Sequence, residues 1–183
     1  MGFVFQRVYT EKFLERFEMH EANPVATLYD RNSGGTEDSV GSHVPYREAV
    51  RCLMYLLTGT RPDIAFAVSR AARAMDQPTD AHWIDVKRIL NYWRRTRNYG
   101  LLYGAGNSKG ILEAFGDANF AGDVRIRRST SRVLAVCAGS EIAWSSKYLL
   151  RTIVLTLHVR LLNRVILVRE PRHNLLQKGI IRV

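Results

Sequence analysis

The sequence is poor in cysteine and has no long hydrophobic segment. Cys52 and Cys137 are its two cysteines among 183 residues, which excludes a small fold held by several disulfides. Both lie among apolar neighbours, so we expect buried free thiols in a reducing compartment. No Cys/His cluster has the spacing of a zinc site. No run reaches the roughly eighteen apolar residues that suggest a membrane span, so none is expected.

The amino terminus does not show the pattern of an export signal, so none is expected,. Residues 1–7, MGFVFQR, lack a basic stretch followed by a long apolar one, which a secretory signal requires. The sequence therefore predicts an intracellular protein, in the cytoplasm or the nucleus, with no membrane contact.

Acidic residues are scarce at the carboxyl end. The formal net charge is +10, and residues 148–183 hold seven Arg or Lys against the single acid Glu170. A basic balance favours a nucleic-acid partner. Most of the excess positive charge, however, lies in residues 148–183, which are rich in Leu, Val, Ile and Arg. An amphipathic helix that covers a sheet is an equally good interpretation of this segment.

Apolar spacing predicts helices in the first hundred residues. The first spans about residues 9–20 with Thr10 as its cap. The second runs from about Pro45 to Leu57, with Met54 in its apolar stripe. Polar, glycine-bearing residues 30–43 between them are predicted to be a linker or an exposed loop.

Two further helices follow. Thr60 and Asp63 have the spacing of a capping box, which predicts that they start the third helix, and Pro78 ends it. Thr79 is predicted to cap a fourth helix over about residues 80–97.

The hydrophobic period changes near residue 100. Short β-prone stretches separated by Gly, Ser and Asn turns follow, at residues 101–103, 111–116, 133–138 and 141–144,. Glu141 is interpreted as a solvated turn residue before the last of them. The sequence therefore predicts an α+β chain, with a helical amino-terminal half followed by strands.

Several stretches in order resemble the Pol polyprotein of copia-type retrotransposons. The resemblance covers about residues 6–147, and five motifs in the right order and spacing make it specific. The matching stretches are residues 44–56 (VPYREAVRCLMYL), 60–68 (TRPDIAFAV), 78–90 (PTDAHWIDVKRIL), 99–103 (YGLLY) and 116–123 (GDANFAGD), followed by 127–131 (RRSTS) and 144–147 (WSSK).

The resemblance implies a division of the chain. Residues 1–100 would be the carboxyl-terminal helical region of a reverse transcriptase, and residues 101–147 a partial ribonuclease H-like domain that opens with three antiparallel strands. Residues 148–183 do not resemble the family and form a divergent basic tail. Element decay, a shifted reading frame or a wrong exon join would each produce such a tail.

The resemblance also implies chemistry that needs clustered carboxylates around two Mg²⁺ or Mn²⁺ ions. The polymerase site of the family carries paired aspartates, and no Asp-Asp pair occurs in this sequence. For ribonuclease H, Asp117 matches the first family aspartate, and Asp123 in the adjoining turn is a second candidate ligand. The next family acids would fall near His158 and Arg160, so we expect no stably bound metal.

Basic residues on the side of the fourth helix opposite its apolar stripe are candidate phosphate contacts, since Lys and Arg neutralise phosphates without reading sequence. They are Lys87, Arg88, Arg94, Arg95 and Arg97, and Arg127 and Arg128 follow the turn after Asp117. The simpler interpretation of the helical set is a solvated face. The partner implied by the family is an RNA–DNA hybrid or a template–primer duplex, alongside the rest of the polyprotein.

The sequence thus predicts a fragment of a retrotransposon polyprotein whose parent copies RNA into DNA and removes the RNA strand. The fragment keeps one catalytic-type residue, Asp117, and is expected to be inactive. Two alternatives remain open: a non-enzymatic basic nucleic-acid-binding remnant, and an inert product of a decayed element.

Overall fold

A computed structural model describes residues 1–30, 36, 38, 43–104, 112–118 and 129–148. Within them the chain has both helices and strands, as the α+β prediction requires. In chain order these are β1 (Gly2–Val4), α1 (Arg7–Arg16), α2 (Tyr46–Gly59), a 3-10 turn (Pro62–Ile64), α3 (Ala65–Ala72), α4 (Asp80–Arg95), β2 (Leu101–Tyr103), β3 (Leu112–Ala118), β4 (Thr130–Cys137) and β5 (Ser140–Tyr148).

The described residues fall into two compact units. One unit is Val4–Leu101 and contains all the helices; the other combines Met1–Phe3 with the residues from Leu102 onward. The assignment of the two parts to a polymerase and a ribonuclease H stays a prediction. Among the described residues, no helix combines the length and apolar composition needed to cross a bilayer.

The core of the helical unit is built from one stripe on each long helix. On α2, Tyr46, Val50 and Leu53 recur at helical spacing and are fully buried, as their period predicts. On α4 the buried set is Val86, Ile89, Leu90 and Trp93. The prediction for Met54 is wrong: its side chain is 40% exposed, because it lies beside the stripe and not within it.

The predicted start of the first helix is also wrong. Helix α1 begins at Arg7, so Thr10 lies inside it and its hydroxyl donates to the carbonyl oxygen of Gln6 at 2.8 Å. This back-bond is the usual use of a threonine hydroxyl in a helix interior. The helix ends at Arg16, earlier than predicted, and Glu18 follows with a φ of 54°.

The capping box predicted from Thr60 and Asp63 does not form. The Thr60 hydroxyl donates to Gln6 Oε1 at 2.9 Å, and the Asp63 carboxylate accepts from Arg61. A buried guanidinium requires a counterion, and this requirement takes Asp63 away from the backbone. The segment enters α3 through the 3-10 turn instead.

Helix α4 begins as predicted, behind Thr79. The Thr79 backbone N–H donates to Nδ1 of His82 at 3.1 Å. His82 is the third residue after Thr79, so its side chain makes the hydrogen bond back to the capping residue that defines a capping box. The helix ends at Arg95, two residues before the predicted end, and Arg97 lies beyond it.

The strands of the other unit include an antiparallel meander in the order β3-β4-β5. Ala138 (φ 53°) and Gly139 (φ 81°) connect β4 to β5, and two positive φ angles define a type I′ hairpin turn. The register shifts beside Ala135, so Ile142 is an extra residue in β5,. Glu141 lies inside β5 opposite Val136, which corrects its interpretation as a turn residue.

Other sequence predictions fall on residues that the structure does not describe. These are Asp123, Arg127 and Arg128, most of the linker 30–43, and residues 149–183 with the covering helix proposed there. The cysteines are described: Cys52 and Cys137 are free thiols, but both are only half-buried, so the prediction of full burial is wrong.

Candidate metal remnant and nucleic-acid interface

Asp117 occupies the penultimate position of β3 and is exposed. The antiparallel register places Arg132 of β4 directly opposite it, and Ser146 of β5 opposite Arg132. Directly opposed residues in such a pair have Cβ atoms about 4.5–5.5 Å apart. The nearest charged position across the strand from Asp117 is therefore a guanidinium, which repels divalent cations.

The other acids of this sheet lie at its opposite end. Glu113 is four residues before Asp117 on the same strand, a separation of about 13 Å at the usual rise of a strand. Glu141 lies opposite Val136, and Val136 lies opposite Glu113. Two ions of a catalytic pair are only about 3.5–4 Å apart, so neither glutamate can share an ion with Asp117.

A Mg²⁺ or Mn²⁺ ion therefore does not fit the donors that this part of the chain supplies. Magnesium demands near-octahedral oxygen coordination at about 2.0–2.1 Å, and Asp117 offers one carboxylate. Among the residues with described positions, no three His, Cys, Asp or Glu side chains form a group able to hold a metal.

The five basic residues predicted on one side of the fourth helix divide into two sets. Lys87, Arg95 and Arg97 are exposed. Arg88 and Arg94 instead bind the segment that follows α1: Arg88 donates to the Thr27 hydroxyl at 2.6 Å, and Arg94 donates to the carbonyl oxygen of Ala22. Arg88 also lies 3.5 Å from a carboxylate oxygen of Asp30. Three cations of the set are therefore presented to solvent.

A buried arginine was missed by the sequence analysis. Arg61 has 3% of its side chain exposed and binds the Asp63 carboxylate through two nitrogens, each at 2.8 Å. It also donates to the hydroxyl of Thr96 at 2.5 Å and to its carbonyl oxygen at 3.1 Å. The guanidinium thus joins the start of α3 to the end of α4.

Two tyrosines complete the surroundings of Arg61. Its guanidinium carbon lies 6.0 Å from the ring centroid of Tyr92 and 5.8 Å from that of Tyr99, within reach of cation–π attraction. The Tyr92 hydroxyl donates to Asp63 at 3.0 Å. Burial, and then the adjacent Asp63 carboxylate, raise the pKa of Tyr92. The signal in the sequence was an Arg two residues before an Asp, which we interpreted as part of a cap.

A second polar cluster fixes the segment before α2 against α3 and α4. Arg70 pairs with Asp85, and its guanidinium carbon lies 4.0 Å from the ring centroid of Tyr29. The Tyr46 hydroxyl donates to the carbonyl oxygen of Ala71 at 2.8 Å. Burial, with a contribution from the Asp85 charge, raises the pKa of Tyr46 to about 12. The cavity between these residues is about 20 Å³, room for about one water.

Comparison with known proteins identifies relatives among transposon polyproteins. The chain is 40% identical over 151 residues to the retrovirus-related Pol polyprotein from transposon TNT 1-94 of Nicotiana tabacum, an alignment that covers 78% of this chain and 11% of the relative. The corresponding protein from transposon RE2 of Arabidopsis thaliana is 39% identical over 146 residues, covering 78% of this chain and 10% of the relative.

A shorter relative is the secreted RxLR effector protein 161 of Plasmopara viticola. It is 43% identical over 106 residues, which cover 57% of this chain and 73% of the relative. No family model matches the sequence, and no solved structure matches it. The chain spans about a tenth of the length of the Pol relatives. It therefore belongs with the retrovirus-related Pol polyproteins of plant transposons, of which it matches one segment.

Proposed function

We propose that this chain is the region of a copia-type Pol polyprotein where the reverse transcriptase ends and a ribonuclease H-type domain begins, and that it does not cleave RNA–DNA hybrids. The order of the motifs supports the location. Three consecutive antiparallel strands, with Asp117 near the end of the first, agree with the opening strands that the resemblance implies.

The observation that carries the inactivity is the isolation of Asp117 on the sheet. Arg132 lies opposite it, and Glu113 and Glu141 lie at the far end of the strands. Two-metal hydrolysis requires carboxylates that converge on both ions. Within the strands that the structure describes, Asp117 is a single carboxylate with the positive charge of Arg132 opposite it, an arrangement that would hold neither ion in place.

The test is cleavage of a labelled RNA–DNA hybrid in Mg²⁺ and, separately, in Mn²⁺. We expect the chain and its Asp117→Asn variant to give the same product as buffer alone, while an intact ribonuclease H in the same assay gives complete cleavage. Cleavage by the chain that disappears in Asp117→Asn would contradict the proposal.

A second candidate function is non-enzymatic binding of a nucleic-acid duplex. It is supported by the exposure of Lys87 and Arg95 on α4 and of Arg97 just beyond its end. Each phosphate contact contributes about −0.9 to the slope of log K against log salt concentration. Three contacts would therefore give this surface a slope of about −2.7.

A matched pair of double variants isolates this surface from the rest of the basic chain. We expect Arg95→Gln with Arg97→Gln to reduce the magnitude of the slope for a hybrid by about 1.8, because two contacts are lost. Lys12→Gln with Arg51→Gln removes the same charge from exposed positions of α1 and α2 and should leave the slope unchanged. Equal effects of the two pairs would show that only net charge matters; no binding at all would favour an inert relic.

A further inference from the structure

Tyr99 presents an aromatic ring to solvent directly after α4. The residue is 60% exposed, and the guanidinium carbon of the buried Arg61 lies over one side of its ring, 5.8 Å from the centroid. The Tyr99 backbone N–H donates to the carbonyl oxygen of Thr96 at 2.9 Å, which fixes the turn that carries the ring. One side of the ring therefore faces the buried guanidinium, and the other side faces solvent.

The exposed charge beside this ring is positive. Arg95 and Arg97, four and two residues before the tyrosine, are both exposed. The charges of Arg61 and Asp63 compensate each other, since the two side chains form an ion pair. The carboxyl end of a helix carries a partial negative charge that repels anions, but Arg61 donates to the Thr96 carbonyl oxygen at this end of α4. Two exposed cations therefore lie within one turn of the ring.

We propose that Tyr99 stacks on an unpaired base of a nucleic acid whose phosphates contact Arg95 and Arg97. Proteins that bind single strands combine cations along the phosphate backbone with aromatic rings on which the bases stack. A duplex offers no free base face along its length, because each base already stacks on its neighbours, so the partner is a single strand or a single-stranded end. This inference rests on the second candidate function, since the same arginines supply its phosphate contacts.

Tyr29 provides a matched control, because it shares the guanidinium contact but lies beside paired charges. It is 43% exposed, and the guanidinium carbon of Arg70 lies 4.0 Å from its ring centroid. Arg70 pairs with Asp85, and Asp30, the next residue in the sequence, lies 3.5 Å from Arg88. Each of these two cations has an acidic partner, so we expect no phosphate strand to be attracted to this ring.

Fluorescence anisotropy with the full chain tests the stacking on labelled strands of about twelve nucleotides, a length within the usual size of single-strand sites. One strand is oligothymidylate, and the other has the same sugar–phosphate backbone without bases. We expect the chain to bind oligothymidylate about tenfold more tightly, because the abasic strand cannot stack. Tyr99→Leu should abolish this preference, whereas Tyr99→Phe, which keeps the ring, and Tyr29→Leu should retain it. Oligouridylate should behave as oligothymidylate does, because the ring contacts the base and not the sugar.

The double variant Arg95→Gln with Arg97→Gln separates the stacking from the phosphate contacts. It should weaken the binding of both strands, because both carry phosphates, whereas Tyr99→Leu should leave the affinity for the abasic strand unchanged. Equal affinity of the parent chain for the two strands, or equal effects of Tyr29→Leu and Tyr99→Leu, would overturn the stacking alone. A double variant with unchanged affinity for both strands would overturn the phosphate contacts on which the inference rests, and no binding of either strand would overturn both.

Discussion

The ion pair between Arg61 and Asp63 gives the sharpest stability prediction. Asp63→Ala leaves a guanidinium that is 3% exposed without its counterion. Breaking a fully buried pair by removing one partner costs about 3–5 kcal/mol, and an exposed pair contributes about 0–1 kcal/mol. Because the Asp63 side chain is 32% exposed, water replaces part of the lost interaction. We therefore expect a loss of about 2 kcal/mol of unfolding free energy, between these limits.

The assay is urea unfolding followed by tryptophan fluorescence in a Trp144→Phe background, so that the signal comes from Trp83 and the buried Trp93 of the helical unit. Arg61→Met removes the charge itself and loses the contacts to Thr96. Combined with Asp63→Ala, it should cost less than the sum of the two single variants by about 1–2 kcal/mol, because the second change no longer leaves an unpaired charge.

The control is an ion pair of the same type at the surface. Arg7 and Glu11 are 2.8 Å apart on α1, with side chains 60% and 47% exposed, so Glu11→Ala should cost less than about 0.5 kcal/mol. Two results would refute the argument that burial makes the Arg61–Asp63 pair important for stability. One is an equal loss of unfolding free energy in Asp63→Ala and Glu11→Ala, and the other is a loss in the Arg61→Met, Asp63→Ala double variant equal to the sum of the two single losses.

Further predictions concern alkaline stability and backbone conformation. The pKa of Tyr46 is about 12 in the folded chain against the ordinary 10, so its contribution to stability is complete below pH 10 and is lost as pH rises to 12; Tyr46→Phe should flatten urea midpoints measured across this range. Ala138→Asn should stabilise the hairpin by about 0.5 kcal/mol, and Gly139→Ala should destabilise it by about 1 kcal/mol. The Trp144 signal is obtained as the difference between the fluorescence of each protein during thermal unfolding and that of the same protein carrying Trp144→Phe; opposite signs would contradict the type I′ assignment. Gly100→Ala should lower the melting temperature of the helical unit, followed by circular dichroism, because a Cβ there would meet the backbone of Val4 and the side chain of Phe5; an unchanged melting temperature would show that this contact relaxes freely.

The start of a helix was predictable where the capping threonine had a hydrogen-bond partner within the same helix. Helix α4 starts behind Thr79 as predicted, since the residue three positions on contacts the cap locally. The threonines at positions 10 and 60 carry the same signal, but their hydroxyls bind Gln6 instead. A capping residue and a long-range partner look alike in sequence, because both require only a short polar side chain.

The exposure of the five basic residues predicted on the fourth helix was less predictable for a similar reason. A helical period identifies which residues share a side of α4, but it does not show which segment of the chain packs there. Arg88 and Thr27 are separated by 61 positions, and Arg94 and Ala22 by 72. These contacts depend on tertiary packing, which placed two of the five predicted phosphate contacts against the protein itself.

Two of the predicted strands were too short, because small polar residues lengthen them at their first positions. Strand β4 begins at Thr130 and β5 at Ser140, three residues and one residue before the predicted starts. Backbone pairing with a neighbouring strand continues through such residues although they contribute little hydrophobic signal. The same pairing brings Arg132 opposite Asp117, a juxtaposition that residue types alone do not reveal.

The bulge at Ile142 has a consequence for how the sheet behaves at high concentration. Among the strands that the structure describes, β4 lies in the centre of the meander, and an outer strand such as β5 can recruit a strand from another molecule by extending the ladder. An extra residue bends that strand, and the exposed Lys147 near its end adds a charge that a docking strand would have to desolvate. Deleting Ile142 would straighten the edge and remove one of the two obstacles to fibrous self-association.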